Sequence, residues 1–187
     1  VDEVLEGGSG EVGGVEPVLG DPPPQIQAPA PLRVRELLPG EDARLLSENA
    51  FLFEEFIARE SRAGELKLAL GHLGQTAHVH GHCHQKAAGV MGDMAQALAL
   101  IPGLNPQTIE SSCCGMAGAF GYQAETIEVS RNMGELSLLP AIRAAAPDDI
   151  LIANGTSCRH QIADGTDRRA LHIAEIFDKA SENAVKE

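Results

Sequence analysis

The sequence predicts an α/β fold: a small parallel β-sheet of about four strands flanked by helices, preceded by a disordered or irregular N-terminal segment. Three observations predict it. Past Gly71 the chain repeats a cycle of apolar strand, glycine-bearing loop and helical stripe, and alternating elements of this kind build a parallel sheet covered on both faces. Ile150-Leu151-Ile152-Ala153 is apolar at every position, as a strand buried on both sides has to be. The first forty residues hold seven of the 11 prolines, and residues 1–32 carry six acidic side chains with no Lys or Arg. Such a stretch has little apolar surface to bury. The expected division is 1–38 as irregular linker or truncated remnant of a preceding domain, and 39–187 as the α/β domain.

Order is expected from Pro39-Gly40-Glu41-Asp42 onward. Leu45, Leu52, Phe53, Phe56 and Ile57 recur at helical spacing between Ala43 and Ser61, which reads as one core-facing helix and not as a cofactor box. Ala77-His78-Val79-His80 is a short strand running into Gly81-His82-Cys83-His84. Val90, Met94, Ala97, Leu98 and Ile101 then form a helical stripe. Thr108-Ile109-Glu110 is a weak second strand, ending in Ser111-Ser112-Cys113-Cys114-Gly115. A helix is expected from Ala124, carrying Val129, Met133, Leu136 and Leu139, with Pro140 opening a second, short one. The Ile150–Ala153 strand leads into Asn154-Gly155-Thr156-Ser157-Cys158, and a brief Leu171-His172-Ile173 strand and a polar terminal helix follow.

Composition narrows the function. The 187 residues, 19.7 kDa and 43% hydrophobic content fit one globular domain or two very small ones. Fourteen basic against 27 acidic side chains give a net charge of -13, which repels phosphate backbones and anionic lipid. With no Trp and 3% aromatic residues, a stacking surface for single-stranded nucleic acid is also disfavoured. No apolar run approaches the roughly 20 residues of a spanning helix, and no secretory leader is recognisable. The expectation is no nucleic acid, no transmembrane segment and a cytoplasmic location, with contact to the inner membrane only peripherally and through partners. Because the chain opens with Val1, a fragment or processed piece is expected.

The chemistry lies in the cysteines. Four are few for a disulfide framework, and two of them, Cys113 and Cys114, are adjacent. Adjacent Cα atoms sit about 3.8 Å apart, whereas a normal bridge wants about 5.5–6 Å. Reduced thiols available to a metal are the natural reading. Cys83, the Cys113–Cys114 pair and Cys158 each follow a predicted strand at the start of a helix, and in open parallel sheets that is the edge where ligands bind. Three loops should therefore bring four thiols to one place, the number that typically holds a 4Fe-4S cluster. Helix N-termini and close backbone N–H groups, with Gly115 immediately after the pair, favour thiolates. Lys86 and Arg159 could offset cluster charge. Zinc is a competitor, although the spacings of 30 residues from Cys83 to Cys113 and 44 from Cys114 to Cys158 contain no C-x2–4-C knuckle. Four unliganded thiols and a catalytic Cys83 flanked by His82 and His84 are the remaining readings. His78, His80, His82 and His84 share one parity, so an extended segment puts them on one side, as a second ligand set, as donors around a cluster, or, for His78 above all, as residues simply hydrogen-bonded at a sheet edge. His160 reads as a donor near Cys158 and not as a ligand.

His80-Gly81-His82-Cys83-His84-Gln85-Lys86-Ala87, Cys113-Cys114-Gly115-Met116-Ala117-Gly118 and Gly155-Thr156-Ser157-Cys158-Arg159-His160-Gln161-Ile162 resemble the cysteine-rich CCG domain. That family includes the glycolate oxidase iron–sulfur subunit, the B subunit of heterodisulfide reductase and the third subunit of anaerobic glycerol-3-phosphate dehydrogenase. The wording around the cysteines is closest to the C-terminal part of FAD-linked D-2-hydroxy-acid dehydrogenase fusion proteins. Over residues 36 to 178, the resemblance implies an electron-transfer module with Cys83, Cys113, Cys114 and Cys158 as cluster ligands. Gly115, His82, His84 and His160 would stand just outside them. It also implies FAD in a missing or partner domain, oxidation of D-lactate, glycolate or D-2-hydroxyglutarate there, and a downstream electron acceptor. The chain is not expected to be catalytic alone. The alternatives are a cluster-free or zinc-binding docking module of the same complex, or a thiol-disulfide module of heterodisulfide reductase type.

Two departures qualify the resemblance. Members like heterodisulfide reductase end with Cys-x-x-Cys, and here the first of that pair is Gly155, which leaves four cysteines and a simple four-thiolate cluster. Related fusion proteins follow a Glu-Pro like Glu16-Pro17 with Ser-Cys from a preceding copy of the domain, whereas here Val18-Leu19 and a proline-rich stretch follow. A truncated or frame-shifted C-terminal half is the expectation drawn from this.

Overall fold

The computed structural model describes residues 39–186. The expected linker or remnant, 1–38, lies outside the described residues, as does its boundary with the domain. Within them the chain is α/β: eight α-helices around a parallel sheet of three strands.

The first expected helix is two. α1 (Glu41–Asn49) ends when Asn49 folds its side-chain amide onto the Leu45 carbonyl (2.8 Å), and α2 (Phe53–Ala63) begins after a turn. The Leu52 N–H, orphaned at that new terminus, donates to the Glu55 carboxylate at 2.7 Å. The break scatters the stripe: Ile57 is buried and Phe53 packs on the core, but Leu45, Leu52 and Phe56 are exposed.

β1 (Thr76–His80) is the central strand, β2 (Asn105–Thr108) pairs with one side of it and β3 (Ile150–Ala153) with the other, all parallel. β2 lies about one turn earlier than the expected Thr108–Glu110. The reason is that an edge strand accepts proline: the Asn105 and Ile109 N–H groups donate to Gln75 and Val79 carbonyls (3.0 and 2.9 Å), so Pro106 between them faces away from β1. The expected fourth strand is a single bridge, Leu171 to Ile152. His172 ends it at once by accepting the Ala174 N–H (3.1 Å) and starting the last helix.

Between β1 and β2 run α3 (Cys83–Ala87) and α4 (Met91–Ala99), separated at Gly89. Between β2 and β3 come a 3-10 turn (Gly118–Gly121), α5 (Ile127–Glu135) and α6 (Leu138–Ala144); α7 (Thr156–Thr166) and α8 (Ile173–Ala184) follow. One sheet face carries Ala77, Val79, Ile150 and Ile152 against Met94, Leu98, Ile176 and Phe177. The terminal helix is therefore amphipathic, with a buried face, and not merely polar. The other face carries Leu151 and Ala153 against Leu138, Ile142 and Ile162, and includes Cys114 and Cys158. The expected α5 stripe is corrected in part: Val129 and Leu136 are exposed, Met133 is half-buried, Leu139 is buried but belongs to α6, and the buried positions of α5 are Ser130 and Gly134. Small residues are needed there because that face abuts the paired-cysteine loop.

Candidate metal centre

Each strand of the sheet delivers a cysteine loop from its carboxyl end. After β1, the His82 N–H donates to Gln85 Oε1 (2.9 Å), and His82 Nδ1 accepts the His84 N–H (3.2 Å), which sets Cys83 at the start of α3. After β2, Lys86 Nζ crosses over to the carbonyls of Ser111 and Ser112 and holds the loop that enters Cys113. Gly115 then turns at φ +90, where an added Cβ would sit 2.1 Å from the Ser130 carbonyl oxygen. In the same turn the Gly115 N–H donates to Cys113 Sγ at 3.3 Å. After β3, the Arg159 guanidinium donates to the carbonyls of Ala153 (3.0 Å) and Asn154 (2.7 Å), which fixes the loop leading to Cys158.

Cys114 and Cys158 are buried, and their sulfurs lie with a nitrogen of His80 within 4.8 Å of one another. Among the described residues this is the set with metal-ligand spacing. Cys113, half-buried, and Cys83, exposed, stand outside that trio, but the charge of either would raise the Cys158 pKa. Cys114 is held down to about 4, chiefly because the Cys158 thiol hydrogen-bonds to it; desolvation opposes this, and the nearby His80 ring and the Met116 N–H assist. Cys158 is pushed up by sharing that bond, then by burial. The bond they share thus splits the pair, lowering Cys114 and raising Cys158. Burial pushes Cys113 up as well.

The expected neighbours fall as follows. Gly115 is buried beside the cysteine pair. His82 Nε2 lies 4.0 Å from Cys83 Sγ, and its ring meets His84 edge-on. His160 is exposed and bonded to the Tyr122 hydroxyl (3.0 Å), turned to the surface. Lys86 and Arg159 spend their N–H groups on loop carbonyls, so they shape the loops. Gly155, where related motifs place a cysteine, has no room for one as the loops stand: an added Cβ would meet His82 Cδ2 at 2.1 Å and Cys158 Sγ at 3.0 Å.

Sequence reasoning did not single out His80 from its parity set. The usable signal was a histidine ending a strand that has to be covered on both faces. Its register partner is Ala153, so it shares the face that carries Cys114 and Cys158. Glu54 of α2 was also missed. Although only 2% exposed, its carboxylate accepts from Gln85 Nε2 and from Asn154 Nδ2 (3.0 Å), tying the Cys83 loop to the Cys158 loop. It lines a cavity of about 560 Å³ together with Phe53, His82, His84, Thr156 and His172.

Comparison with known proteins points one way. The chain is 29% identical over 101 residues to the C subunit of anaerobic glycerol-3-phosphate dehydrogenase from Escherichia coli strain K12, which is 54% of this chain and 25% of that protein. It is 34% identical over 91 residues to the D-2-hydroxyglutarate dehydrogenase of the same strain, 48% of this chain and 9% of that one. The D-2-hydroxyglutarate dehydrogenase of Pantoea ananatis is 28% identical over 116 residues, 61% and 11% of the two chains. These relatives are dehydrogenases or a subunit of one. This chain spans a quarter or less of the length of these curated relatives. No family model matches it, and no solved structure does. Among the described residues no helix is long and apolar enough to cross a membrane.

Proposed function

We propose that this chain is the iron–sulfur electron-transfer module of a FAD-dependent D-2-hydroxy-acid dehydrogenase, acting on a D-lactate, glycolate or 2-hydroxyglutarate type of substrate. It passes electrons from flavin in a partner domain or subunit to a downstream acceptor. The observation that carries this reading is the delivery of four thiols by three successive strand-end loops, with Cys114 and Cys158 buried and the other three within electrostatic reach of Cys158.

The donor set suits a 4Fe-4S cluster. Four thiolate sulfurs satisfy its irons, and the cysteines come from loops braced by Lys86, Arg159 and Glu54. When bound, the cluster supplies a one-electron relay, which the two-electron chemistry of flavin and hydroxy acid needs. The chain's own residues do the rest. Cys83, Cys113, Cys114 and Cys158 hold it, and the Gly115 and Met116 N–H groups donate to thiolate sulfur. Burial of Cys114 and Cys158 keeps water from that side, while Cys83 and the cavity next to it leave the other side open to a partner.

Anaerobic reconstitution tests this. The expected product has stoichiometric iron and sulfide, a broad absorption near 400 nm, and an EPR signal on reduction; fully folded protein that takes up no iron would refute the reading. The mutual distance of His80, Cys114 and Cys158 favours a second reading, a docking module with one zinc. The same metal analysis then returns one zinc per chain and no sulfide.

A further inference from the structure

We propose that His80 is a positioning residue of this centre, with its Nε2–H donating into the cradle where sulfur binds. The inference rests on the reading above for its redox consequence, but not for its geometry. His80 is 1% exposed, and its Nε2 is the one buried side-chain polar atom among the described residues with no hydrogen-bond partner at ordinary distance, while its ring faces Cys114 and favours the thiolate there. Leaving a polar atom so placed is costly unless a further group satisfies it.

The ring's other nitrogen decides which proton it carries. Nδ1 lies 2.8 Å from the Ser111 hydroxyl oxygen, whereas that hydroxyl's other acceptor, the Ile109 carbonyl, is 3.5 Å away. In the proposed arrangement the shorter contact carries the hydroxyl proton, so that Nδ1 accepts and the hydrogen sits on Nε2. Strand register aims Nε2 at the Cys114–Cys158 side of the sheet, and Ser111 is held in turn by Lys86 on its carbonyl. An N–H there stabilises extra negative charge on thiolate or sulfide, so it favours the reduced state.

Two measurements test it. In the metal-free chain, nitrogen NMR of the histidine rings should find His80 as the Nε2–H tautomer; an Nδ1–H tautomer overturns the assignment. In the reconstituted chain, His80→Leu should lower the equilibrium constant for reduction about tenfold, equivalent to 59 mV for one electron, with iron content unchanged. Ser111→Ala should shift it the same way by less. Because a His80 variant could misfold, nitrogen-15 histidine labelling of the native chain supplies a second arm. A weak hyperfine coupling to the reduced cluster supports a hydrogen bond, while a strong coupling, meaning direct ligation, or none at all overturns it. Failure to take up any iron would refute the electron-transfer reading, and the tautomer would still decide this one.

Discussion

Gly115 and Gly118 both have positive φ, +90 and +64, yet only the first is pressed against its surroundings. An added methyl at Gly118 meets nothing within 4 Å, so Gly118→Ala should cost about 1 kcal/mol of backbone strain. At Gly115 it meets the Ser130 carbonyl oxygen at 2.1 Å, and Gly115→Ala should cost about 3 kcal/mol or more. Chemical denaturation of the pair separates a glycine needed for φ alone from one needed for close approach. Asp149 offers a pH test away from the cysteines. The His78 ring, 2.8 Å from its carboxylate, holds its pKa below the ordinary value, and the Ala146 N–H adds to this. A carboxylate depressed on folding contributes stability above its unfolded pKa of about 3.9 and loses it as pH falls through the folded value. The stability gap between the native chain and Asp149→Asn should therefore close as acid is added below about pH 4. A gap independent of pH would remove the pair from the account.

Among the elements, β3 was legible because every one of its positions is apolar, and the α4 stripe because Val90, Met94, Ala97, Leu98 and Ile101 are all buried as the spacing requires. α5 was not, because periodicity counts large apolar residues, and this helix buries its small ones against the loop of Cys113–Gly115. The correction can be measured. Val129→Gln and Leu136→Gln should change stability by no more than about 0.5 kcal/mol, whereas Met94→Ala should cost about 2–5 kcal/mol. The polar tie across elements was hidden for a different reason. Glu54 stands 31 residues from Gln85 and 100 from Asn154, and no local pattern announces a carboxylate that bridges two loops. Glu54→Leu should strand the buried Gln85 donor at about 1–3 kcal/mol, free the half-buried Asn154 amide at less, and impair iron uptake, because the Cys83 and Cys158 loops lose their common brace. Normal uptake in a folded variant would show that the loops are set without it.

For the molecule as a whole, the two cores and the cysteine loops answer to different physics, and their response to loading should differ accordingly. The sheet faces are held by apolar burial, which needs no ligand. The convergence of the thiols is held by a few polar ties, and it places acidic sulfur next to sulfur at the carboxyl edge. Within the chain the Cys158 thiol hydrogen-bonds to Cys114, and a bound cluster would take both as thiolates. The unfolded chain offers no such arrangement, so binding energy appears as folding energy. At free ligand about 100 times Kd the gain is about 2.7 kcal/mol, which for a domain of this size raises Tm by about 5–10 °C. Thermal unfolding of reconstituted and chelator-stripped protein should show that difference, with far-ultraviolet circular dichroism nearly the same for both below the transition. The increment should vanish in Cys114→Ser and Cys158→Ser, and be reduced in Cys83→Ser, where the sulfur lost is an exposed one. An increment of less than about 1 °C in the native chain would mean that the loops grip nothing they could not grip when unfolded.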